Sequence, residues 1–377
     1  MASSILDTIG ERSVVLCAGP GGVGKTTTSA ALGLAAARAG RRVLVLTIDP
    51  ARRLADALGV GLDNEPRRVA AAITGQEKGG GELWAVMLDA VQTFDDLIVR
   101  VAPNEQIANN VLNNVIYKQI SRALAGAVEY TAIEKLFDLR SRFAFDLIVV
   151  DTPPSKNVLD FLEAPGWLSR FLDERVLRWF LLLDPGAPGA GLRFRVLQRT
   201  GRAVWDVLSR VFGAQLLLEV IAFVRSVEMM AVELRQRADT IAALLRSEES
   251  LFFVVTSAER MVLQQAAYLC AEIRRRHTPF GGFIVNRVQA RPDVGSLDQA
   301  SASIRGAAGD DPAAEGLIRK LLQLHGDLDL RARHDEEAIA YLRRCSGWAG
   351  FFATLPHQGE DITHLDALGC LAQHLHP

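Results

Sequence analysis

The chain has 377 residues, a formal net charge of −2 at pH 7, 23% charged residues and 49% apolar residues. This is the composition of an ordinary globular protein, and the near-neutral charge gives no reason to expect a nucleic-acid partner. The four cysteines form no C-x-x-C pair, which argues against a zinc site or a disulfide framework. Neither a signal peptide nor an apolar run of membrane-spanning length is found, so a cytoplasmic protein is expected.

The first predicted strand, residues 13–18, leads into a glycine-rich loop that opens a helix. Its residues match the phosphate-binding pattern G-x-x-x-x-G-K-S/T. In that pattern backbone amides surround phosphate oxygens, the lysine reaches the β- and γ-phosphates, and the hydroxyl binds Mg²⁺. The residues predicted to bind nucleotide here are Gly21, Gly22, Val23, Gly24, Lys25, Thr26 and Thr27. A plain glycine turn is the alternative, but the complete motif favours a nucleoside triphosphate.

Two later strands are predicted to end in aspartate at the same edge of a parallel sheet. Residues 43–48 form an aliphatic and β-branched run before Asp49, and residues 147–150 form another before Asp151. Ligands of open parallel sheets bind at the carboxyl ends of the strands. Four apolar residues followed by aspartate are typical of the second magnesium motif, so Asp151 is assigned to Mg²⁺ together with Thr26.

Together with the glycine loop, the segments 49–56 and 151–154 resemble the ArsA-type family of P-loop ATPases. This family includes arsenite-pump ATPases and targeting ATPases for tail-anchored membrane proteins, and it is related to MinD and the nitrogenase iron protein. The resemblance implies an α/β fold with a doubly wound, mostly parallel P-loop NTPase sheet and a helical insertion. It also implies Mg²⁺-dependent hydrolysis of ATP.

The resemblance extends to individual residues. It implies that Lys25 and Asp49 are catalytic, with Asp49 orienting the attacking water. It also implies that Asn286 contacts adenine and that Pro356 closes over the base. The structural alternatives are a helix N-cap for Asp49 and a turn role for Asn286.

One position departs from the family pattern. Family members usually carry a lysine where this chain has Pro20, and that lysine reaches the nucleotide of the partner subunit in a dimer. The expected assembly is therefore a slow homodimer or a heterodimer with an ArsA-like paralogue that keeps the lysine. The cysteine pair that binds zinc in the targeting ATPases is absent, and no spacing groups the cysteines into the thiol site that arsenite needs.

The chain divides into an ATPase domain, residues 1–154 and 249–377, and a helical insertion, residues 155–248. Residues 214–250 contain neither glycine nor proline and repeat apolar residues every seven positions, which predicts one long amphipathic helix. Its apolar stripe is wider than one packing seam requires. The candidates for a client-binding groove are Trp179, Phe180, Phe223 and Met230. An ordinary subdomain core is the alternative.

Three functions remain open from the sequence. The favoured one is an ATPase whose nucleotide state switches the insertion, which binds a hydrophobic protein client or a membrane-protein partner. The others are the soluble ATPase subunit of an anion or arsenite transporter and a low-turnover regulatory switch. Residues 291–316 are small and polar and are expected to be mobile.

Overall fold

The computed structural model describes residues 4–48, 53–69, 80–124, 128–152, 161–164, 166, 172, 208–211, 213–292, 294–308, 312–359, 362 and 364–375. The strands of this part are β1 (Val14–Ala18), β2 (Arg42–Thr47), β3 (Arg67–Arg68), β4 (Glu82–Met87), β5 (Leu147–Asp151), β6 (Ser250–Ser257), β7 (Phe280–Val288) and β8 (Phe351–Pro356). The helices are α1 (Ile5–Ile9), α2 (Lys25–Arg38), α3 (Arg53–Leu58), α4 (Ala90–Val101), α5 (Glu105–Asn113), α6 (Val115–Leu124), α7 (Val128–Arg142), α8 (Ala214–Arg246), α9 (Arg260–Arg275), α10 (Val294–Ala308), α11 (Pro312–Ser346) and α12 (Leu365–Leu375).

The strands form one sheet in the order β3-β4-β2-β5-β1-β6-β7-β8. Only β3 pairs antiparallel with its neighbour, and the other pairs are parallel. The chain builds β2, β4 and β5 on one side of β1 and then crosses to build β6, β7 and β8 on the other. This is the doubly wound arrangement, so the predicted fold class is confirmed, and the loop after β1 lies where the winding direction changes.

The central strands are buried on both faces. In β1, Val14 and Leu16 belong to one apolar cluster, whereas Val15 and Cys17 belong to the cluster on the opposite face. Side chains alternate between the faces of a sheet, so a strand covered on both sides must be apolar at every position. This requirement is why the runs that form β1, β2 and β5 could be recognised in the sequence, whereas the two-residue β3 could not.

Different sets of helices cover the two faces of the sheet. Residues of α2, α3 and α12 contribute to one cluster, and residues of α4, α7, α8 and α9 contribute to the other. The long helix predicted in residues 214–250 is confirmed as α8, a helix of 33 residues between β5 and β6. None of the described helices is long and apolar enough to cross a lipid bilayer.

Residues 291–316, the segment expected to be mobile, are largely helical. Most of this segment forms α10 and the first turn of α11. Alanine is frequent there and favours helix, and Pro312 occupies the first position of α11, where a missing amide hydrogen costs nothing. The two helices also contact each other, with Arg305 Nε 2.9 Å from Glu315 Oε1. Small and polar composition was therefore a poor guide, because the segment forms a helical hairpin.

Candidate functional site

The loop after β1 folds around the amine of Lys25, the first residue of α2. Lys25 Nζ donates hydrogen bonds to the carbonyl oxygens of Gly19 at 3.1 Å and Pro20 at 2.9 Å, and the side chain is buried. The first turn of a helix has free backbone amides and carries the positive end of the helix dipole. The fold thus places an ammonium group beside such amides, the arrangement that binds phosphate.

Asn286, at the end of β7, braces this loop. Its Nδ2 donates to the carbonyl oxygen of Val23 at 2.9 Å, and its Oδ1 accepts from the backbone amide of Arg287 at 2.9 Å. Gly24 lies against the same side-chain amide, and a Cβ built on Gly24 would overlap Asn286 Nδ2. Gly24 also has a positive φ of 86°. Both the backbone conformation and the close approach therefore require glycine at position 24.

Two hydroxyl groups and one carboxylate group meet at the ends of β2 and β5. Asp151 Oδ2 accepts hydrogen bonds from Thr26 Oγ1 at 2.6 Å and from Thr47 Oγ1 at 3.0 Å. Oxygen ligands are those that Mg²⁺ prefers, so these residues fit that ion. The fold brings together the predicted ligands Thr26 and Asp151. Thr47 was not identified from the sequence, although it is the one hydroxyl residue in β2.

A cavity of about 440 Å³ opens beside the loop, a volume within the range of small-molecule sites. It contains Asn286 and Pro356, predicted to contact the base, together with Gly24 and Thr27 from the loop. Its remaining lining residues are Arg287, His357, Gln358, Gly359, Ile362 and Leu371. None of these six was named from the sequence, because Arg287 lies within β7 and the others come from the segment after β8 and from α12. Only the crossing of these segments beside the loop marks them as candidates.

The other predicted site residues have different surroundings. Gly21 and Gly22 are exposed at the loop tip, whereas the Val23 side chain is buried in the apolar cluster. Val23 can therefore serve a ligand only through its backbone. Asp49 lies outside the described residues, so its catalytic assignment stays a prediction.

The thiols of the described residues form no obvious ligand set. Burial raises the pKa of Cys17 to about 12, so this thiol stays protonated beneath the loop. Cys345 and Cys370 are exposed. Within the part of the chain that the structure describes, no group of three or more histidine, cysteine, aspartate or glutamate residues could hold a metal ion.

A comparison with protein families also indicates an ATPase. Residues 12–179 match the family model of anion-transporting ATPases, ArsA_ATPase. The matched segment runs from β1 past Asp151 and so contains the glycine loop and both magnesium-motif residues. This segment is therefore similar to an ArsA-type ATPase domain.

Individual proteins are similar to part of this chain at moderate identity. A Streptomyces coelicolor protein named SCO2128 is 37% identical over 159 residues, which are 42% of this chain and 38% of that protein. The ATPase ASNA1 homolog of Babesia bovis is 33% identical over 159 residues, 42% of this chain and 40% of its own. The ATPase get3 of Neurospora crassa is 29% identical over 171 residues, which are 45% of this chain and 47% of that protein. The chain thus aligns with less than half the length of each of these relatives.

Outside the matched segment, α8 has both buried and exposed apolar residues. Phe223 and Met230 are buried and belong to the core cluster, as the subdomain-core alternative expects. Trp179 and Phe180 lie outside the described residues. The large apolar side chains that α8 exposes are different ones, namely Leu216, Leu218, Met229 and Val232.

Proposed function

We propose that this chain is a Mg²⁺-dependent ATPase whose nucleotide state switches the helical insertion, which in turn binds a hydrophobic protein client or a membrane-protein partner. The observation that carries the proposal is the convergence of Lys25, Thr26 and Asp151 beside one cavity at the switch point of the sheet. Sheet-edge clefts at this point are where α/β proteins bind nucleotides.

In the proposed reaction the chain acts by positioning and charge. Lys25 and the loop amides stabilise the negative charge on the phosphates. Thr26 and Asp151 would hold Mg²⁺, which would neutralise phosphate charge. Asp49 orients the attacking water, and Asn286 with Pro356 contacts the adenine. Since Asn286 also braces Val23, base binding and loop geometry would depend on one side chain.

The Asp49→Asn variant tests this assignment. It is expected to bind Mg·ATP with wild-type affinity and to hydrolyse it about 10² to 10³ times more slowly, because a water-orienting group contributes a few kcal/mol to the barrier. Single-turnover hydrolysis and nucleotide binding are the two measurements. Hydrolysis at the wild-type rate would mean that Asp49 is only a helix cap.

Two features support coupling between the site and the insertion. The insertion directly follows β5, which ends in Asp151. Its helix α8 is tied to α7 by an ion pair between Arg237 and the buried Glu134. Breaking a buried pair of this kind costs more than breaking a surface pair, so α7 and α8 are expected to move together.

Two adjacent methionines of α8 provide a matched test of client binding, because Met229 is 52% exposed and Met230 is 1% exposed. Met229→Glu is expected to leave the melting temperature unchanged and to weaken capture of an apolar helical peptide. Met230→Glu is expected to cost several kcal/mol of stability, since it buries a charge in the core. Peptide capture by Met229→Glu at the wild-type level would count against a client surface on α8.

The other two functions differ in their support. An arsenite-binding role needs clustered thiols, and no group of three or more histidine, cysteine or acidic side chains that could hold a metal ion is found among the described residues. A low-turnover or heterodimeric switch is favoured by Pro20, which is buried and whose carbonyl oxygen holds Lys25. A lysine supplied by an ArsA-like paralogue would replace the missing cation, so adding that paralogue to the hydrolysis assay is expected to raise turnover.

A further inference from the structure

Two residues other than glycine have a positive φ in the part of the chain that the structure describes. His277 precedes β7 and has a φ of 55°, and Arg287 lies near the end of β7 and has a φ of 59°. This left-handed conformation is strained for any residue that carries a Cβ. Each of the two positions therefore needs an explanation from its surroundings.

The end of α9 explains the conformation of His277. Its backbone amide donates to the carbonyl oxygen of Arg274 at 3.0 Å, and the amide of Thr278 donates to that of Ile273 at 3.2 Å. These two hydrogen bonds form a Schellman motif, which ends many helices and places one residue in the left-handed conformation. The motif uses backbone groups alone, and the His277 side chain is exposed. The strain at His277 thus has a purely structural cause.

Arg287 ends no helix, since it lies within β7 where the pairing with β8 shifts its register. Contacts on both sides enforce its backbone conformation. The amide of Arg287 donates to Asn286 Oδ1 at 2.9 Å, and the amide of Gln289 donates to Asp335 Oδ2 at 2.8 Å. Strained residues persist where the surrounding structure fixes them, and they are concentrated at functional sites.

The side chain of Arg287 lines the 440 Å³ cavity beside the glycine loop. Three apolar side chains line the same cavity, namely those of Pro356, Ile362 and Leu371. None of the described lining residues is acidic, so the guanidinium group has no counter-charge among them. A cation in such a cavity is available to a ligand.

The lining of this cavity suits the base of a nucleotide better than its terminal phosphates. Lys25, Thr26 and Asp151, the proposed ligands of the phosphates and Mg²⁺, are not among the described lining residues. The cavity would therefore take the end of the nucleotide that lies away from the β- and γ-phosphates. That end is a flat aromatic ring. Apolar side chains cover the faces of such rings, and the planar guanidinium of arginine stacks on them.

We propose that the Arg287 guanidinium stacks on the purine ring of bound ATP and so holds the base in this cavity. The inference rests on the proposed function and adds a binding residue that neither the glycine motif nor the family resemblance indicated. Stacking requires the guanidinium to start from a fixed backbone position. The contacts of Asn286 and Gln289 provide that position despite the strain.

Glycine variants of the two strained residues give a matched test. Glycine adopts a positive φ without strain, so Arg287→Gly and His277→Gly are both expected to melt no lower than the wild type. Calorimetric titration with Mg·ATP should show about tenfold weaker binding by Arg287→Gly, because a stacking contact to the base is lost. His277→Gly should bind Mg·ATP as the wild type does. Mg·tripolyphosphate, which has no base, should bind all three proteins equally.

A lysine variant separates stacking from charge. Arg287→Lys keeps the positive charge but loses the planar group, so its affinity for Mg·ATP should stay several-fold below that of the wild type. Equal ATP affinities of Arg287→Gly and His277→Gly, an equal loss with tripolyphosphate, or wild-type affinity in Arg287→Lys would each overturn the stacking role while leaving the proposed ATPase function in place. A wild type that does not bind Mg·ATP would overturn both.

Discussion

Lys25→Ala is expected to abolish measurable binding of Mg·ATP while leaving the fold intact. The buried ammonium group now donates to two carbonyl oxygens of its own loop, at 3.1 and 2.9 Å, and in the complex it would turn to the phosphates. Hydrogen bonds to charged groups contribute about 1.5–3 kcal/mol each, so losing two corresponds to at least 10² in affinity. Calorimetric titration with ATP in the presence of Mg²⁺ measures this loss.

The matched control is Lys118→Ala, which removes an exposed lysine from α6. Its affinity for ATP should equal that of the wild type. Lys118→Ala removes the same charge as Lys25→Ala, but it leaves the glycine loop unchanged. Thermal unfolding of both variants is expected to be close to that of the wild type. If Lys25→Ala bound Mg·ATP as tightly as Lys118→Ala, the glycine loop would not be the nucleotide site.

Gly24→Ala is expected to destabilise the loop far more than Gly22→Ala. Both glycines have positive φ, 86° and 79°, so alanine costs about 1–2 kcal/mol of backbone strain at either position. At Gly22 the added methyl group would meet no atom within 4 Å, whereas at Gly24 it would overlap the amide of Asn286. Displacing that buried amide would add about 1–3 kcal/mol, and nucleotide affinity should fall at least tenfold. Urea unfolding and ATP titration of both variants give the comparison.

A double variant tests whether contact with Asn286 causes the loss of stability in Gly24→Ala. Asn286→Ala removes the amide that the new methyl group would strike, so Gly24→Ala combined with Asn286→Ala should lose less stability than the sum of the two single changes. A coupling of about 0.5–3 kcal/mol is expected for residues in contact. Strictly additive losses would show that Gly24 is needed only for its backbone conformation.

The strands and the loop could be predicted because local residues determine them. The runs before Gly19, Asp49 and Asp151 are apolar at almost every position, as burial on both faces requires. The glycine loop is recognisable because phosphate binding restricts its residue types at fixed spacing. By contrast, the hairpin of α10 and α11 was missed, since contact between two helices stabilises a segment whose composition resembles that of a loop.

The two methionines of α8 show another limit of the sequence. Heptad spacing predicted the helix, but it could not decide which apolar residues face the core, because the stripe is wider than one seam. The packing of α8 against α5, α6 and α7 buries Met230 and leaves Met229 exposed. The client-binding hypothesis now concerns different residues from those that the spacing indicated.

By itself the sequence indicated the glycine loop and the strand end that carries Asp151, because each depends on residue types within one short segment, and the resemblance of these motifs to the ArsA-type family implied the fold class and the joint role of Thr26 and Asp151. Only the tertiary structure decided that Thr47 shares the Asp151 carboxylate and that Asn286 braces Val23. These contacts join residues more than a hundred positions apart through the order of the strands, and no local pattern specifies that order.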